Sequence, residues 1–354
     1  MKFGGHPKKD KEELIKSNPL AFSSSSNLVT ATSRLVLETS DNDGTFLNIE
    51  IFDHSMAQKD DSSSSSPSSL PILLFIPGVC ESAETMSVQK IVHHAKEVGV
   101  RVAVVELEGH GLSSGHGRCL CPDFSRLLQQ TVEFISFVLS QIGACENEVP
   151  YAVCGASMGG ALAVYAAEII SRHLNNIPCD DLMGKSLHPS LSFPRTFLGV
   201  VPITPALGVR PEALPPKPIV WALSVAASLL PSAQLSLAPL EDPEHYNCPP
   251  ETKRNYSGHW PLGTSKMLLD LTAYQIPHDV SRNKLTLAHV DKVLILAGEK
   301  DRVIPVESCQ AFYDHLQCHY KDLKILKKAD HDLLYETKTS QIALEYLFSV
   351  FTAK

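Results

Sequence analysis

The sequence has no apolar run long enough to span a bilayer and no clustered stripe of lysine and arginine. A transmembrane helix needs about 20 consecutive apolar residues, and nucleic-acid-binding surfaces carry such a basic stripe. The formal net charge of −8 at pH 7 argues further against nucleic acid as a partner. The hydrophobic fraction of 44% and charged fraction of 20% are those of an ordinary globular protein.

The N-terminal residues lack the apolar core of a signal peptide, and the lysine at position 2 does not fit myristoylation. The nine cysteines are odd in number and scattered without a framework, which indicates a reducing compartment. Cys119 and Cys121 are the only close pair, too close for the usual zinc knuckle, so we expect buried thiols there. These features predict a cytoplasmic protein, either free or peripheral to membranes.

Composition divides the chain into a core and three other segments. Residues 1–27 are charged and then serine-rich, which predicts a flexible N-terminal arm. The stretch 54–70 is also serine-rich, and we expect a disordered loop there. Strand and helix patterns place the core at 28–204 and 289–354, and the interruption at 205–288 is interpreted as a cap or lid above the strand ends.

Apolar strands alternate with helical segments, which predicts an α/β protein with a mostly parallel sheet and right-handed crossovers. Alternating residues on either side of 41–44 predict a β-hairpin before that sheet. The predicted core strands are 72–76, 101–105, 151–154, 197–201, 293–297 and 323–328. Helices are expected near 84–98, 122–143 and 307–316, and the cap is expected as a helical insertion before the strand at 293–297.

The segment Gly155-Ala156-Ser157-Met158-Gly159 follows a strand and leads into an alanine-rich helix. Gly-x-Ser-x-Gly in this context is the nucleophile elbow, where glycines avoid a collision between strand and helix. Ser157 is therefore the candidate nucleophile, and the Met158 N–H at the helix start points to where an oxyanion forms. Val79, after Gly78 in the loop that follows the first core strand, is placed to supply a second N–H.

A serine nucleophile needs a base, which a carboxylate orients. After this type of elbow the acid comes next in the chain and the histidine last, each on a loop after a late strand. Asp301 follows the strand at 293–297 and is the candidate acid. Glu299 is the rival acid, but it lies closer to the strand end and is expected to face solvent. His331 lies in the short loop after the last strand and is the candidate base.

Three other polar residues in or near these loops could have a catalytic or metal-binding role. His110 lies in a glycine-rich loop and is expected to shape the pocket wall rather than to take part in chemistry. Asp330 and Asp332 flank His331 and raise the alternative of a metal site. No second cluster with ligand spacing accompanies them, so we expect neither a metal nor a cofactor.

These motifs together resemble the α/β-hydrolase superfamily, and within it the monoacylglycerol lipase-like, serine aminopeptidase S33-type group. The resemblance rests on the elbow 155–160, the G-H-G-x-S-x-G loop 109–115, the acid loop 298–305, and His331 at a similar distance beyond it. It implies an α/β-hydrolase fold with a helical cap after the sixth core strand. It also implies a Ser157–His331–Asp301 triad with Val79 and Met158 as the oxyanion donors.

The chain departs from the family pattern next to the oxyanion loop. The family's H-G-x-G-E strip here reads Pro77-Gly78-Val79-Cys80-Glu81, with proline for histidine and cysteine for the second glycine. Proline still supplies a carbonyl and the second glycine is not a donor, so the hole is expected to persist with altered loop geometry. Cys80 is expected to narrow or sensitise the site. Ala156 also replaces a bulkier polar residue, and both changes argue against monoacylglycerol itself as substrate.

The resemblance implies a serine hydrolase that cleaves carboxylic esters of small lipid-like substrates, of the monoacylglycerol or lysophospholipid type. Two alternatives stay open: an acyltransferase with the same triad, and a ligand-binding sensor with little turnover. Epoxide hydrolase chemistry is disfavoured, because it needs a carboxylate in place of Ser157. The apolar segment 219–230 of the cap is either packed on the core, the favoured interpretation, or in contact with lipid or an oily ligand.

Overall fold

The structure is a computed structural model that describes residues 29–41, 43–53, 70–115, 119–184, 188–210, 212, 214–234, 259–335 and 337–352. The predicted arm at 1–27 lies outside the described residues, and so does the predicted serine-rich loop apart from Leu70.

The described strands form a single sheet. They are β1 (Ser33–Glu38), β2 (Phe46–Phe52), β3 (Ile72–Ile76), β4 (Arg101–Glu106), β5 (Tyr151–Ala156), β6 (Phe197–Ile203), β7 (Lys292–Gly298) and β8 (Tyr320–Leu326). Their order across the sheet is β1-β2-β4-β3-β5-β6-β7-β8. β1 and β2 form the predicted antiparallel hairpin, and β2 is also antiparallel to β4. All other neighbours are parallel, which confirms the mostly parallel sheet.

Helices connect the strands and cover the sheet. They are α1 (Met86–Glu97), α2 (Phe124–Gln141), α3 (Met158–Leu174), α4 (Asp180–Met183), α5 (Lys217–Leu229), α6 (Leu262–Asp270), α7 (Ile276–Ser281), α8 (Val306–His315) and α9 (Thr337–Phe348). A π-helical turn, Leu271–Gln275, joins α6 to α7, and a 3₁₀ turn, Ser349–Phe351, follows α9. None of the helices in these described ranges is long and apolar enough to cross a bilayer.

The central strands of the sheet are buried on both faces, and successive side chains of a strand point to opposite faces. In β3, Leu74 belongs to the apolar cluster that includes α2, α3 and α8, whereas Leu73 belongs to the cluster that includes α1 and α9. All five residues of β3 are buried, as a continuous apolar strand in a doubly covered parallel sheet requires. The loops with the candidate residues therefore follow strands that are packed on both sides.

The last strand begins earlier than the sequence pattern indicated. β8 starts at Tyr320 rather than at residue 323, and it pairs with β7 along its whole length. Backbone pairing with a buried neighbour extends the strand through Lys321 and Asp322, which are polar and gave no apolar signal. Since β8 is at the edge of the sheet, polar side chains are tolerated there.

In the described parts of the chain between β6 and β7, three helices are present, α5 to α7. Helix α5 buries only Ala227, whereas Trp221 and Leu229 are 70% and 74% exposed. The favoured interpretation concerns only the inner face of this helix, where Ala227 is buried, and it stays a prediction, whereas the outer face is exposed. Among the described elements the helix contacts α6, and apart from Ala227 its residues are half-buried or exposed.

Candidate active site

The turn between β5 and α3 has the strained geometry expected of a nucleophile elbow. Ser157 has φ 53° and ψ −116°, outside the regions favoured by a residue with a side chain. Its N–H donates to Ile203 O at 2.9 Å, which ties the turn to β6. A Cβ on Gly155 would lie 2.1 Å from Gly159 O, and one on Gly159 would lie 2.1 Å from Ile76 O. Glycine at both positions is therefore a steric requirement.

Asp301 and His331 come together at the same edge of the sheet. His331 Nδ1 and Asp301 Oδ2 are 2.8 Å apart, and the Asp301 side chain is only 2% exposed. Asp301 Oδ1 accepts from the N–H groups of Val303 at 2.8 Å and Ile304 at 2.7 Å. These bonds fix the carboxylate, so His331 carries its proton on Nδ1 and keeps Nε2 as an acceptor.

The two rival or flanking carboxylates have other partners. Glu299, the alternative acid, is exposed and accepts from Lys328 N at 2.8 Å. Asp330 Oδ1 accepts from His331 N at 2.8 Å and from Arg302 N at 3.1 Å. Asp330 Oδ2 lies 2.7 Å from Arg302 Nε. Asp330 thus joins the loop of the candidate acid to the loop of the candidate base, a connection that the sequence did not reveal.

Ser157 and His331 line one cavity of about 80 Å³ at this edge of the sheet. Its lining includes Val79 and Trp260, and Trp260 lies two residues before α6. No hydrogen bond joins the Ser157 and His331 side chains, both of which belong to the described chain; such bonds often form only when substrate binds. A larger depression, about 340 Å³, lies between the edge of the sheet and α9 and contains none of the candidate residues.

Two backbone N–H groups are available near Ser157. Met158 is the first residue of α3, so its N–H has no acceptor within the helix. Val79 is buried and lines the same cavity. The neighbouring Gly78 N donates to Glu81 Oε2 at 2.6 Å, and Ser87 Oγ donates to Glu81 Oε1 at 2.8 Å. The Glu81 side chain thus links the loop after β3 to α1, a role that the sequence did not indicate.

Burial and charge set the protonation of these groups. Burial by itself lowers the pKa of His331. The hydrogen bond to Asp301 and the negative charges of Asp301, Asp332 and Glu81 have the opposite and larger effect, so the pKa of His331 is raised. Burial raises the pKa of Glu81, although the bonds from Ser87 and Gly78 oppose this. His110 is buried with its pKa lowered by burial, and its Nδ1 lies 3.0 Å from Glu108 O. His110 is not part of the cavity lining.

One cysteine of the close pair contradicts the expectation of buried thiols. Cys119 forms a disulfide with Cys80, with a Cα–Cα distance of 5.5 Å. Cys121 is a free, buried thiol, as expected, and burial raises its pKa to about 12. The sequence gives no local signal for this pairing, because the partners are 39 residues apart and meet only when their two loops fold together.

Several solved structures are similar to this one over most of the chain. The structure is similar to a soluble variant of monoglyceride lipase from Saccharomyces cerevisiae in complex with a substrate analogue, with a TM-score of 0.62 and 16% identity over 92% of this chain and 97% of that one. It is also similar to Paleococcus ferrophilus monoacylglycerol lipase (TM-score 0.53, 18% identity, 80% and 96% covered). A third neighbour is Est1E from Butyrivibrio proteoclasticus with ferulic acid bound (0.51, 17%, 89% and 99%).

At these identities the structural likeness establishes the fold alone. No curated protein matches the sequence at a significant level. The sequence does match one family, described as serine aminopeptidase, S33, over residues 68–177 and 186–338. Those ranges contain the elbow, the Asp301 loop and His331. The chain therefore has the α/β-hydrolase fold and belongs to the serine aminopeptidase S33 family.

Proposed function

We propose that the protein is a serine hydrolase that cleaves carboxylic esters of lipid-like substrates, of the monoacylglycerol or lysophospholipid type. One observation carries the proposal: Asp301 holds His331 by a 2.8 Å hydrogen bond beside the cavity that also contains the strained Ser157. A nucleophile, a base and an orienting carboxylate are the three parts that acyl transfer through serine requires. Family membership supports the same class of chemistry.

In the first half of the reaction, Ser157 Oγ attacks the ester carbonyl while His331 Nε2 takes its proton. The carbonyl oxygen becomes an oxyanion, and the N–H groups of Val79 and Met158 stabilise it. Asp301 keeps the imidazole in the correct tautomer and stabilises the imidazolium that forms. His331 then gives the proton to the departing alcohol, which leaves an acyl group on Ser157.

In the second half, water enters and His331 takes a proton from it as it attacks the acyl carbonyl. The same N–H groups stabilise the second oxyanion. Collapse of this intermediate releases the carboxylic acid and returns the proton to Ser157. An alcohol in place of water would give acyl transfer by the same steps, so only the products separate the two reactions.

The cavity and the neighbouring proteins support a small acyl ester as the substrate. Apolar side chains, among them Ile203, Leu333 and Trp260, contribute to the lining beside Ser157. The names of the first two structural neighbours specify lipases for monoglycerides. We propose further that residues 205–288 act as the cap over Ser157 and that the exposed apolar side of α5 gives the protein peripheral contact with lipid.

The test is hydrolysis of a panel of acyl esters from short to long chain, monoacylglycerols and lysophospholipids included. We expect wild type to turn over with a chain-length preference. Ser157→Ala should lower kcat by about four to six orders of magnitude, whereas Ser190→Ala, at an exposed serine, should match wild type.

Full esterase activity in folded Ser157→Ala protein would refute the assignment. Adding an acyl acceptor such as glycerol and analysing the products separates hydrolysis from transfer. Tight retention of a ligand with negligible turnover by wild type would favour the sensor alternative.

A further inference from the structure

The Cys80–Cys119 disulfide joins the loop that carries Val79 to a distant segment of the chain. Cys80 directly follows Val79, which lines the cavity beside Ser157 and is the proposed second oxyanion donor. Both bridged residues have positive φ, 64° at Cys80 and 45° at Cys119. A residue with a Cβ is disfavoured in that region and glycine is not. Cysteine therefore stands at both positions against backbone preference.

The Cys119 end of the bridge is anchored firmly. Cys119 N donates to Gly109 O at 3.0 Å, and Thr264 Oγ1 donates to Cys119 O at 2.6 Å. Cys121 N donates to Thr264 Oγ1 at 2.9 Å. Thr264 is fully buried and belongs to α6. Cys119 is thus fixed between the glycine-rich loop and the segment that also presents Trp260 to the cavity.

The Cys80 end belongs to a short turn, residues 78–81, in which Glu81 N donates to Gly78 O at 3.3 Å. The bonds from Gly78 N and Ser87 Oγ to Glu81 hold the loop on either side of Cys80. The Val79 N–H lies in the peptide group between residues 78 and 79, and the disulfide covalently limits the position of Cys80, the next residue in the chain. Hydrogen-bond donors to an oxyanion act only when held at the correct distance and direction.

We propose that the Cys80–Cys119 disulfide positions the Val79 N–H for the oxyanion, and that reducing this bond lowers turnover. The inference rests on the proposed function, because it assigns a task within that site. Cys80 is half-buried and Cys119 is fully buried, so we expect a reductant to attack the bridge at Cys80. The site would therefore respond to a dithiol reductant.

The reduction is a two-electron exchange with a dithiol. One thiolate of the reductant attacks Cys80 Sγ, the bond between the two cysteine sulfurs breaks, and Cys119 leaves as a thiolate that takes up a proton. The second thiol of the reductant then attacks its own sulfur in the mixed disulfide. This step releases Cys80, which also takes up a proton, and yields the oxidised reductant as a cyclic disulfide.

The test compares the full chain before and after incubation with dithiothreitol under native conditions. Alkylation with iodoacetamide and peptide mass spectrometry measure the state of both cysteines. Two kinds of kinetics are measured. The first gives kcat and KM for an ester that the wild type hydrolyses, and the second gives the rate at which a fluorophosphonate probe labels Ser157. We expect kcat and the labelling rate to fall about tenfold on reduction, with KM changed less than about twofold, and to recover on reoxidation.

Cysteine variants distinguish an effect of losing the disulfide from an effect of dithiothreitol on free thiols. Cys119→Ser should have the low kcat of the reduced protein with or without dithiothreitol. Cys80→Gly, which accepts positive φ without a Cβ, should be insensitive to the reductant. Cys145→Ser removes an exposed free thiol and should respond to dithiothreitol as wild type does.

Three results overturn the inference. The first is alkylation of both cysteines without reductant, and the second is complete reduction with kcat and labelling rate unchanged. The third is a lower melting temperature with unchanged kcat, since the bridge would then only stabilise the fold. If no ester is hydrolysed, the proposed function fails, and the labelling rate alone still decides whether the bridge positions the site.

Discussion

His331 lies within the electrostatic reach of three carboxylates, those of Asp301, Asp332 and Glu81. Burial alone would favour the neutral imidazole, yet the carboxylates raise the pKa of His331 above its usual value near 6.5. Catalysis needs neutral His331, because only that form takes the proton of Ser157. Activity is therefore expected to fall as the pH drops through this raised pKa, so the acidic limb of the kcat/KM profile lies above pH 6.5.

Asp332→Asn tests this electrostatic account. Removing one negative charge stabilises the imidazolium less, so the pKa of His331 falls and the acidic limb of the kcat/KM profile moves to lower pH. Asp314→Asn, at an exposed position on α8, serves as the control and should leave the limb in place. A limb that stays fixed in Asp332→Asn, or moves to higher pH, would contradict the assignment of His331 as the base.

Asp330 gives a second prediction for a single side chain. Its Oδ1 accepts from the backbone N–H groups of Arg302 and His331, which lie on the acid loop and the base loop. Its Oδ2 pairs with the Arg302 side chain, which is 62% exposed. Asp330→Ala removes the backbone links and should lower kcat about fivefold, since one such hydrogen bond contributes about 1 kcal/mol. Arg302→Gln removes the exposed ion pair but keeps the Arg302 N–H, and its kcat should stay within about twofold of wild type.

The kcat values of Asp330→Ala, Arg302→Gln and Asp330→Asn are compared. Asp330→Asn loses the negative charge but keeps one oxygen that can accept from the backbone, so it shows whether the hydrogen bonds or the charge of Asp330 matter. Recovery of kcat in Asp330→Asn is the expected result. If Arg302→Gln loses as much kcat as Asp330→Ala, the ion pair and not the backbone link matters.

The elbow is an element whose shape depends on glycines at defined positions. A Cβ on Gly159 would lie 2.1 Å from Ile76 O, a backbone atom that cannot move aside alone. On Gly160 the nearest atoms would be Pro205 Cα and Cβ at 2.9 Å, a milder overlap. Gly159→Ala should therefore cost at least about 2 kcal/mol of folding free energy, and Gly160→Ala about 1 kcal/mol.

Thermal unfolding followed by circular dichroism measures this ranking. At roughly 2 °C or more per kcal/mol for a chain of this size, Gly159→Ala should melt at least about 4 °C below wild type and lose most of its activity. Equal melting temperatures for wild type and Gly159→Ala would show that β3 and α3 can separate at no cost.

The elements that the sequence predicted well are those with local signals. The elbow glycines, the hairpin around residues 41–44 and the buried strand β3 each have a pattern within a few residues. The start of β8 has no such signal, because Tyr320 and its neighbours become strand by pairing with β7. The Cys80–Cys119 disulfide is likewise a product of two loops meeting in space.

The whole molecule brings the site together because parallel strands place the loops after their carboxyl ends at one edge. Val79 follows β3, Ser157 follows β5, Asp301 follows β7 and His331 follows β8. Their order along the chain was therefore enough to predict that they converge. The surface of α5 could not be predicted in this way, because whether an apolar helix is buried depends on what packs against it.

The exposed side of α5 leads to a prediction about the whole protein at a lipid interface. Trp221 and Leu229 are among its exposed apolar residues, and burying each in a membrane interface contributes roughly 1–3 kcal/mol. The double variant Trp221→Ser, Leu229→Ser should therefore bind phosphatidylcholine vesicles at least about tenfold more weakly than wild type in a sedimentation assay. Its kcat/KM for a water-soluble short-chain ester should stay within about twofold, because neither residue lines the cavity.

Ile342→Ser, at an exposed apolar residue on α9, controls for the loss of any surface hydrophobe and should bind vesicles as wild type does. If the double variant binds vesicles like wild type, α5 is not the contact. If it loses short-ester activity as well, α5 supports the site itself, since a surface that only docks to lipid cannot affect a substrate already dissolved in water. Loss of vesicle binding with retained short-ester turnover separates lipid docking from the chemistry at Ser157.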